Sequence, residues 1–276
     1  VKEIFTIEWS GGVAEHHFRK ARPEDDIHWE ELDARRYSEA HLAAAREVWT
    51  GVALSEYAAI AAFSEVVSAL VAARAPLDLI GMTSDFLADE VYHVELASRL
   101  LMRLGGAALK EFEPTELAPR PPPGLTPRQR ANELAVRIGC VAEPFASATA
   151  VPMMRETTNP VVRSVYQTII RDEARHRRFG SLYFEWAAPA LDASERQRLG
   201  RVALHALGNY ASLLRGAARA AETPSALSPE QMHEFGWIEP SRYVPLARRA
   251  VTDEIVPELA EIGIVVPPHE LEALLA

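Results

Sequence analysis

The chain has 276 residues and a mass of 30.5 kDa, and it is 48% hydrophobic and 25% charged, which excludes a disordered, collagenous or disulfide-scaffold protein. Its net charge of -10 gives nucleic acid and anionic lipid no electrostatic attraction, so neither a nucleic-acid nor a membrane partner is expected. The single cysteine, Cys140, excludes an intrachain disulfide, a CxxC redox pair and a Cys-rich metal site; redox chemistry would need other ligands.

Residues 1–37 read as an irregular N-terminal extension. Within it Val1 to Trp9 has the pattern of a short strand ended by Gly11 and Gly12. It lacks the basic start and apolar block of a secretory signal, so the expected location is cytoplasmic. From Ser38 to about Ala75 a proline-free stretch rich in Ala, Leu, Val and Glu predicts a long helix stopped by Pro76. A second helix is predicted from about Leu77 to Leu104, closed by Gly105 and Gly106. The proline-rich run from Glu113 to Pro127 separates this pair from the next. Thr126 and Pro127 then open a third helix to about Met154, and Asn159 and Pro160 a fourth to about Ala188. Asp192 or Ser194 caps a fifth, reaching Ala221. Residues 222–276 read as a C-terminal helical extension with two short helices, Arg242 to Gly263 and His269 to Leu275.

A connection of about 20 residues spans up to roughly 65 Å, whereas a 25-residue helix is about 38 Å long. The linker can therefore cross the bundle end to end. The predicted fold over 38–221 is all-α: a ferritin-like four-helix bundle with a long crossover between helices two and three, followed by a fifth helix.

Two glutamates stand alone in apolar helix. Glu56 is the only charge in the 17 residues between Glu47 and Glu65, and Glu143 the only one in the 17 between Arg137 and Arg155. A carboxylate in such surroundings costs several kcal/mol unless it is protonated, paired or metal-bound. The other two helices carry Asp89-Glu90-Val91-Tyr92-His93 and Asp172-Glu173-Ala174-Arg175-His176. Three positions of helix put Glu and His on one face. A lone glutamate from each of two helices with Glu-x-x-His from each of the other two is a di-iron or di-manganese ligand set, and four carboxylates neutralise two divalent ions. Glu65 lies about 180° round from Glu56, and Glu95 about 140° from Glu90, so neither should face the metals. Asp89 and Asp172 are placed to orient the ligand histidines across the bundle through their far ring nitrogens. Tyr166 and Tyr183, each seven residues from a motif, stay near the ligand face, and Tyr166 is a candidate hydrogen-bond donor beside the centre. Cys140, one turn before Glu143, reads as a small buried hydrophobe. Pro144 should kink or widen helix three.

In these residues the chain resembles the ferritin-like di-iron carboxylate superfamily, over about residues 40–190. The blocks Ser55 to Phe63 and Asp172 to His176 are similar to those of bacterial ferritin-like proteins linked to oxygen chemistry. The resemblance implies that Glu56, Glu90, His93, Glu143, Glu173 and His176 hold two iron ions, with two of the glutamates bridging and O2 as co-substrate. Such a set also accepts manganese. The resemblance to arylamine N-oxygenases is partial, because those carry an additional histidine one turn before the fourth-helix motif, where this chain has Ile169.

Three functions share the ligand set: an oxygenase or oxidase, a ferritin- or rubrerythrin-like protein for iron oxidation or storage, and a di-manganese catalase. The extra chain on both sides of the bundle favours the first, because it can shape a pocket for a small organic substrate. Without CxxC pairs there is no fused rubredoxin, so electrons would come from a separate donor or from the substrate. The expected activity is O2-dependent hydroxylation, desaturation, N-oxygenation or C–C cleavage; homo-oligomerisation is left open.

Overall fold

The computed structural model describes residues 2–22, 26–117, 122–222 and 225–275. Among the described residues the chain is all-α apart from one short antiparallel ladder. Strand β1 (Glu3–Ile4) pairs with β2 (Glu111–Phe112), so the predicted strand at the N-terminus is present but two residues long. Helix α1 (Gly12–Lys20) begins after seven intervening residues, where the sequence predicts irregular chain. None of its residues is buried, and with only Val13, Ala14 and Phe18 apolar among nine residues it is too short for periodicity to reveal it.

Helices α2 (Glu39–Ala72) and α3 (Leu77–Arg103) form the first long pair. The Ser38 hydroxyl caps α2 by accepting from His41 N, and Gly105 and Gly106, both at positive φ, close α3 with Gly106 N donating to Leu101 O. After β2 comes the short α4 (Pro114–Leu117). Residues 118–121 of the proline-rich crossover lie outside the described residues. Thr126 and Gln129 then form a capping box that starts α5 (Pro127–Leu134). The helix widens into a π-helical segment, Ala135–Ala142, before α6 (Glu143–Glu156). Pro144, two residues past the end of this segment, has no N–H to return to Cys140.

Asn159 caps α7 (Pro160–His176) through the Val161 and Val162 amides. The predicted fourth helix does not run on to Ala188: it breaks at Arg177 and Arg178, and α8 (Phe179–Ala187) starts afresh. The break lets α8 lie against the π segment at a glycine contact. A Cβ on Gly139 would sit 2.8 Å from Gly180 N, and one on Gly180 would meet Cys140 Sγ at 2.6 Å. Gly139→Ala should therefore lower stability by about 1–3 kcal/mol in chemical denaturation, the usual cost of overpacking.

Asp192 caps α9 (Ala193–Ala221). The C-terminal part holds α10 (Pro229–Glu234), α11 (Pro240–Arg249), a second π segment at Ala250–Ile255, α12 (Val256–Glu261) and α13 (Pro268–Leu275). Helix α10 went unpredicted, although its Ser228–Gln231 capping box is written in the sequence.

The buried apolar residues fall into two clusters. One holds Phe63 to Leu70 of α2, Phe86 of α3 and Phe179 to Ala187; the other holds Leu42 to Ala53 of α2, Tyr92 to Leu104 and Val161 to Ile169. On α2 the division falls at Glu56, on α3 at Glu90 and on α7 at Glu173. A layer of ionisable side chains is thus clamped between two dry regions. The helices Glu39–Ala72 and Pro127–Glu156 are long and apolar enough to cross a bilayer, yet each sends one carboxylate into this shared layer.

Candidate metal centre

Helices α2, α3, α6 and α7 bring the six predicted side chains together. Glu56, Glu90, His93 and Glu173 form one group and Glu90, Glu143, Glu173 and His176 another, each with one donor atom per residue within 4.8 Å of the rest. Glu90 and Glu173 belong to both groups. His93 turns Nδ1 towards Glu56, Glu90 and Glu173 at 3.4, 3.6 and 3.4 Å. His176 turns Nδ1 towards Glu90, Glu143 and Glu173 at 3.1, 3.7 and 3.4 Å. Glu65 and Glu95 lie off this centre, bonded to Arg130 and Arg19.

The far ring nitrogens cross over to the aspartates. His176 Nε2 is 3.2 Å from Asp89 Oδ2, and His93 Nε2 is 3.6 Å from Asp172 Oδ2. Each aspartate on one motif helix thus faces the histidine of the other. Arg175, inside the second motif, donates to Asp89 at 2.8 Å and holds it in place. If these contacts orient the imidazoles for metal, Asp89→Ala should weaken metal affinity about 10–100-fold in chelator competition. Asp172→Ala, with the longer contact, should cost less.

Sequence reasoning had no role for Phe63 and Phe86, seven residues after Glu56 and four before Glu90. Their rings wall His176 at centroid distances of 5.4 and 4.3 Å. The helical spacing was the available signal. Tyr166 is buried, and its hydroxyl donates to the Gly236 carbonyl at 2.9 Å instead of a carboxylate. The Tyr183 hydroxyl donates to Asn132 Oδ1 at 2.7 Å. Ile169 is 5% exposed in the apolar cluster that includes Tyr92 and Leu96, so this position offers no donor atom.

The protonation of the centre shows what would compensate it. Burial pushes Glu56 up to about 8, and burial with the nearby Glu173 and Glu90 charges pushes Glu143 well above the usual carboxylate range. Burial also opposes charge on the histidines, but Asp89, Glu173 and Glu90 outweigh it at His176 and raise it to about 11. Asp172, Glu173, Glu56 and Glu90 likewise raise His93. Glu90 Oε2, both nitrogens of His93 and Nδ1 of His176 are buried and make no hydrogen bond. Buried donor atoms without partners are costly. Apart from His93 Nε2, which turns to Asp172, these atoms face one another with the charge and ligand chemistry that two divalent ions require.

A helical bundle with this carboxylate and imidazole layer defines a metal-binding protein of the di-iron carboxylate class. No curated protein matches the chain. Residues 80–232 match the family described as p-aminobenzoate N-oxygenase AurF. That is more than half of the chain, and the chain belongs to this family of non-haem di-iron oxygenases. The protein is accordingly an oxidoreductase that uses a di-iron centre and O2 on a small organic substrate. The matched stretch contains Glu90, His93, Glu143, Glu173 and His176; Glu56 lies outside it and joins them through α2.

Proposed function

We propose that Glu56, Glu90, His93, Glu143, Glu173 and His176 are the iron ligands and that the enzyme oxygenates the nitrogen of a small amine. The observation that carries the ligand assignment is the pair of donor groups sharing Glu90 and Glu173, in which Glu90 Oε2, His93 Nδ1 and His176 Nδ1 are buried and free of hydrogen bonds. Each ion would have one histidine and one glutamate of its own and two glutamates in common. The N-oxygenation reading rests on the family description. The iron pair, when bound, supplies the electrons that activate O2. The protein holds the carboxylates and imidazoles in register and keeps the centre dry. Phe63 and Phe86 close one side of it.

The test is to load the protein with Fe(II), count iron per chain, add O2 and an aromatic amine, and analyse the products. The expected result is about two irons per chain and a hydroxylamine or more oxidised nitrogen product. Retention of many irons per chain, or rapid peroxide disproportionation by a manganese form with no organic product, would move the assignment to storage or catalase.

A further inference from the structure

The two helices that carry the lone glutamates do not close on each other. Before the first π segment the chain packs on α2 through α5; after it, α6 packs on α7, α11 and the second π segment and makes no extended contact with α2 among the described residues. The back of α6 is covered, since Phe145 and Thr149 are buried and Phe145 lies on the Tyr210 ring of α9 at 4.0 Å. Its Glu143 face is not. Ala146, Ser147 and Ala150 stand within about 60° of Glu143 round the helix, and all three are exposed or half-buried.

Helix α2 mirrors this. On one flank of Glu56, Ala53 is buried in the cluster that holds Tyr92 and Leu96, and Ile60 lines an outer groove with Val91 and Val94, so that flank faces α3. On the opposite flank Val52 and Ala59, about 40° and 60° round from Glu56, are half-buried, and Ser55 beyond them is exposed. This second flank faces the gap left by α6. Only 22% of the most apolar stretch of α2 is buried.

The candidate ligands report the same opening. Side-chain exposure is 17% at Glu56, 10% at Glu173 and 8% at Glu143, but 1% at Glu90 and 0% at both histidines. The outer groove beneath the N-terminal segment does not account for Glu56, which is not among its lining residues. The centre is therefore shut on the His176 side by Phe63 and Phe86 and reachable at its Glu56 and Glu143 edge. The slot has no other charge along its walls: Glu56 is the only one in residues 48–64 and Glu143 the only one in residues 138–154. Once two ions neutralise the carboxylates, a charged group entering the slot would lose its water and find no counter-ion.

We propose that the substrate reaches the iron through the slot between α2 and α6, and that it is an arylamine with no charged substituent. The assignment rests on the oxygenase reading above and narrows it. An aromatic amine keeps its nitrogen lone pair free at neutral pH, and N-oxygenation consumes that lone pair; a protonated amine has none to give. Val52, Ala59 and Ala150 are small enough to leave room for a flat ring between the helices. A ring seated there also completes the exclusion of water from the open edge.

Two readings that need no turnover test the slot on anaerobic protein loaded with Fe(II): the affinity for p-toluidine by calorimetry, and the rate at which a chelator strips the iron. p-Toluidine should bind at least about tenfold more tightly than p-aminobenzoate, which has a carboxylate in place of the methyl group. It should also slow the loss of iron. Ala59→Phe and Ala150→Phe, one from each wall, should keep two irons, weaken p-toluidine at least about tenfold and slow chelation by themselves. Ala14→Phe, which fills the groove beneath the N-terminal segment instead, should change neither reading. Equal affinity for the two amines overturns the uncharged class. Full affinity in both slot variants, or a loss in Ala14→Phe alone, overturns the slot; a dimer that Ala59→Phe splits with binding unaltered would give this face to a second copy of the chain. Should the slot variants fail to fold, the unsubstituted protein decides, because p-toluidine that binds without slowing chelation does not lie in front of the iron. Protein that holds two irons and consumes O2 while failing these tests sinks the slot alone; protein that binds no iron sinks the oxygenase ligand set.

Discussion

Glu90→Ala or Glu173→Ala should leave less than about one iron per chain, whereas Glu56→Ala or Glu143→Ala should leave about one. The difference follows from the geometry: Glu90 and Glu173 stand in both donor groups, and Glu56 and Glu143 in one each. If both groups hold iron, removing a shared carboxylate would take a ligand from each of them and leave less negative charge between the two ions. Removing an unshared one leaves the opposite group intact. Loss of O2-dependent turnover should exceed the roughly 10–100-fold typical of an outer hydrogen-bond partner in all four variants, since the reaction needs both ions. Iron stoichiometry therefore separates the variants where activity does not. Equal iron loss in all four would show that the shared role is wrong.

This distinction could not be drawn from the sequence. The order lone Glu, Glu-x-x-His, lone Glu, Glu-x-x-His locates six side chains that converge, because helix periodicity fixes which positions share a face and apolar surroundings mark a carboxylate in need of compensation. Which two glutamates lie between the groups depends on how four helices rotate against one another, and that is tertiary packing. The crossed Asp–His contacts were foreseeable for the opposite reason: an aspartate one residue before each motif glutamate is carried by the same turn of helix. The widening before Pro144 was legible too, since a missing N–H is a local fact. The break after His176 was not. It follows from the approach of Gly180 to Gly139, 41 positions away in sequence, which only the folded chain reveals. Helix α1 is not legible because it is short and held by Arg19 on Glu95 and by the Trp9–Phe18 contact at 5.4 Å, with no residue buried in the core.

Removing the metal should make stability depend steeply on pH. With no ions in the centre, protons take their place. Glu56 moves from an ordinary value of 4.5 to about 8 on folding, so the folded state keeps a proton that the unfolded chain releases, and stability falls as pH rises from 4.5 to 8. His176 moves from 6.5 to about 11; its contribution is complete below 6.5 and is lost as pH climbs through 11. His93 and Glu143, both raised, act in the same direction. Glu90 and Glu173 are lowered, so they lose their contribution only in acid. The chelated protein should therefore melt at least about 5 °C lower at pH 9 than at pH 6, on the scale of a few degrees per kcal/mol for a domain of this size. Bound ions replace those protons, so the iron-loaded protein should show a smaller change, and the gap between the two forms should widen with pH. The same exchange predicts proton release on metal binding at neutral pH, measurable by titration in weak buffer. If the metal leaves and the melting temperature stays the same at both pH values, the carboxylate layer is not the seat of the ions.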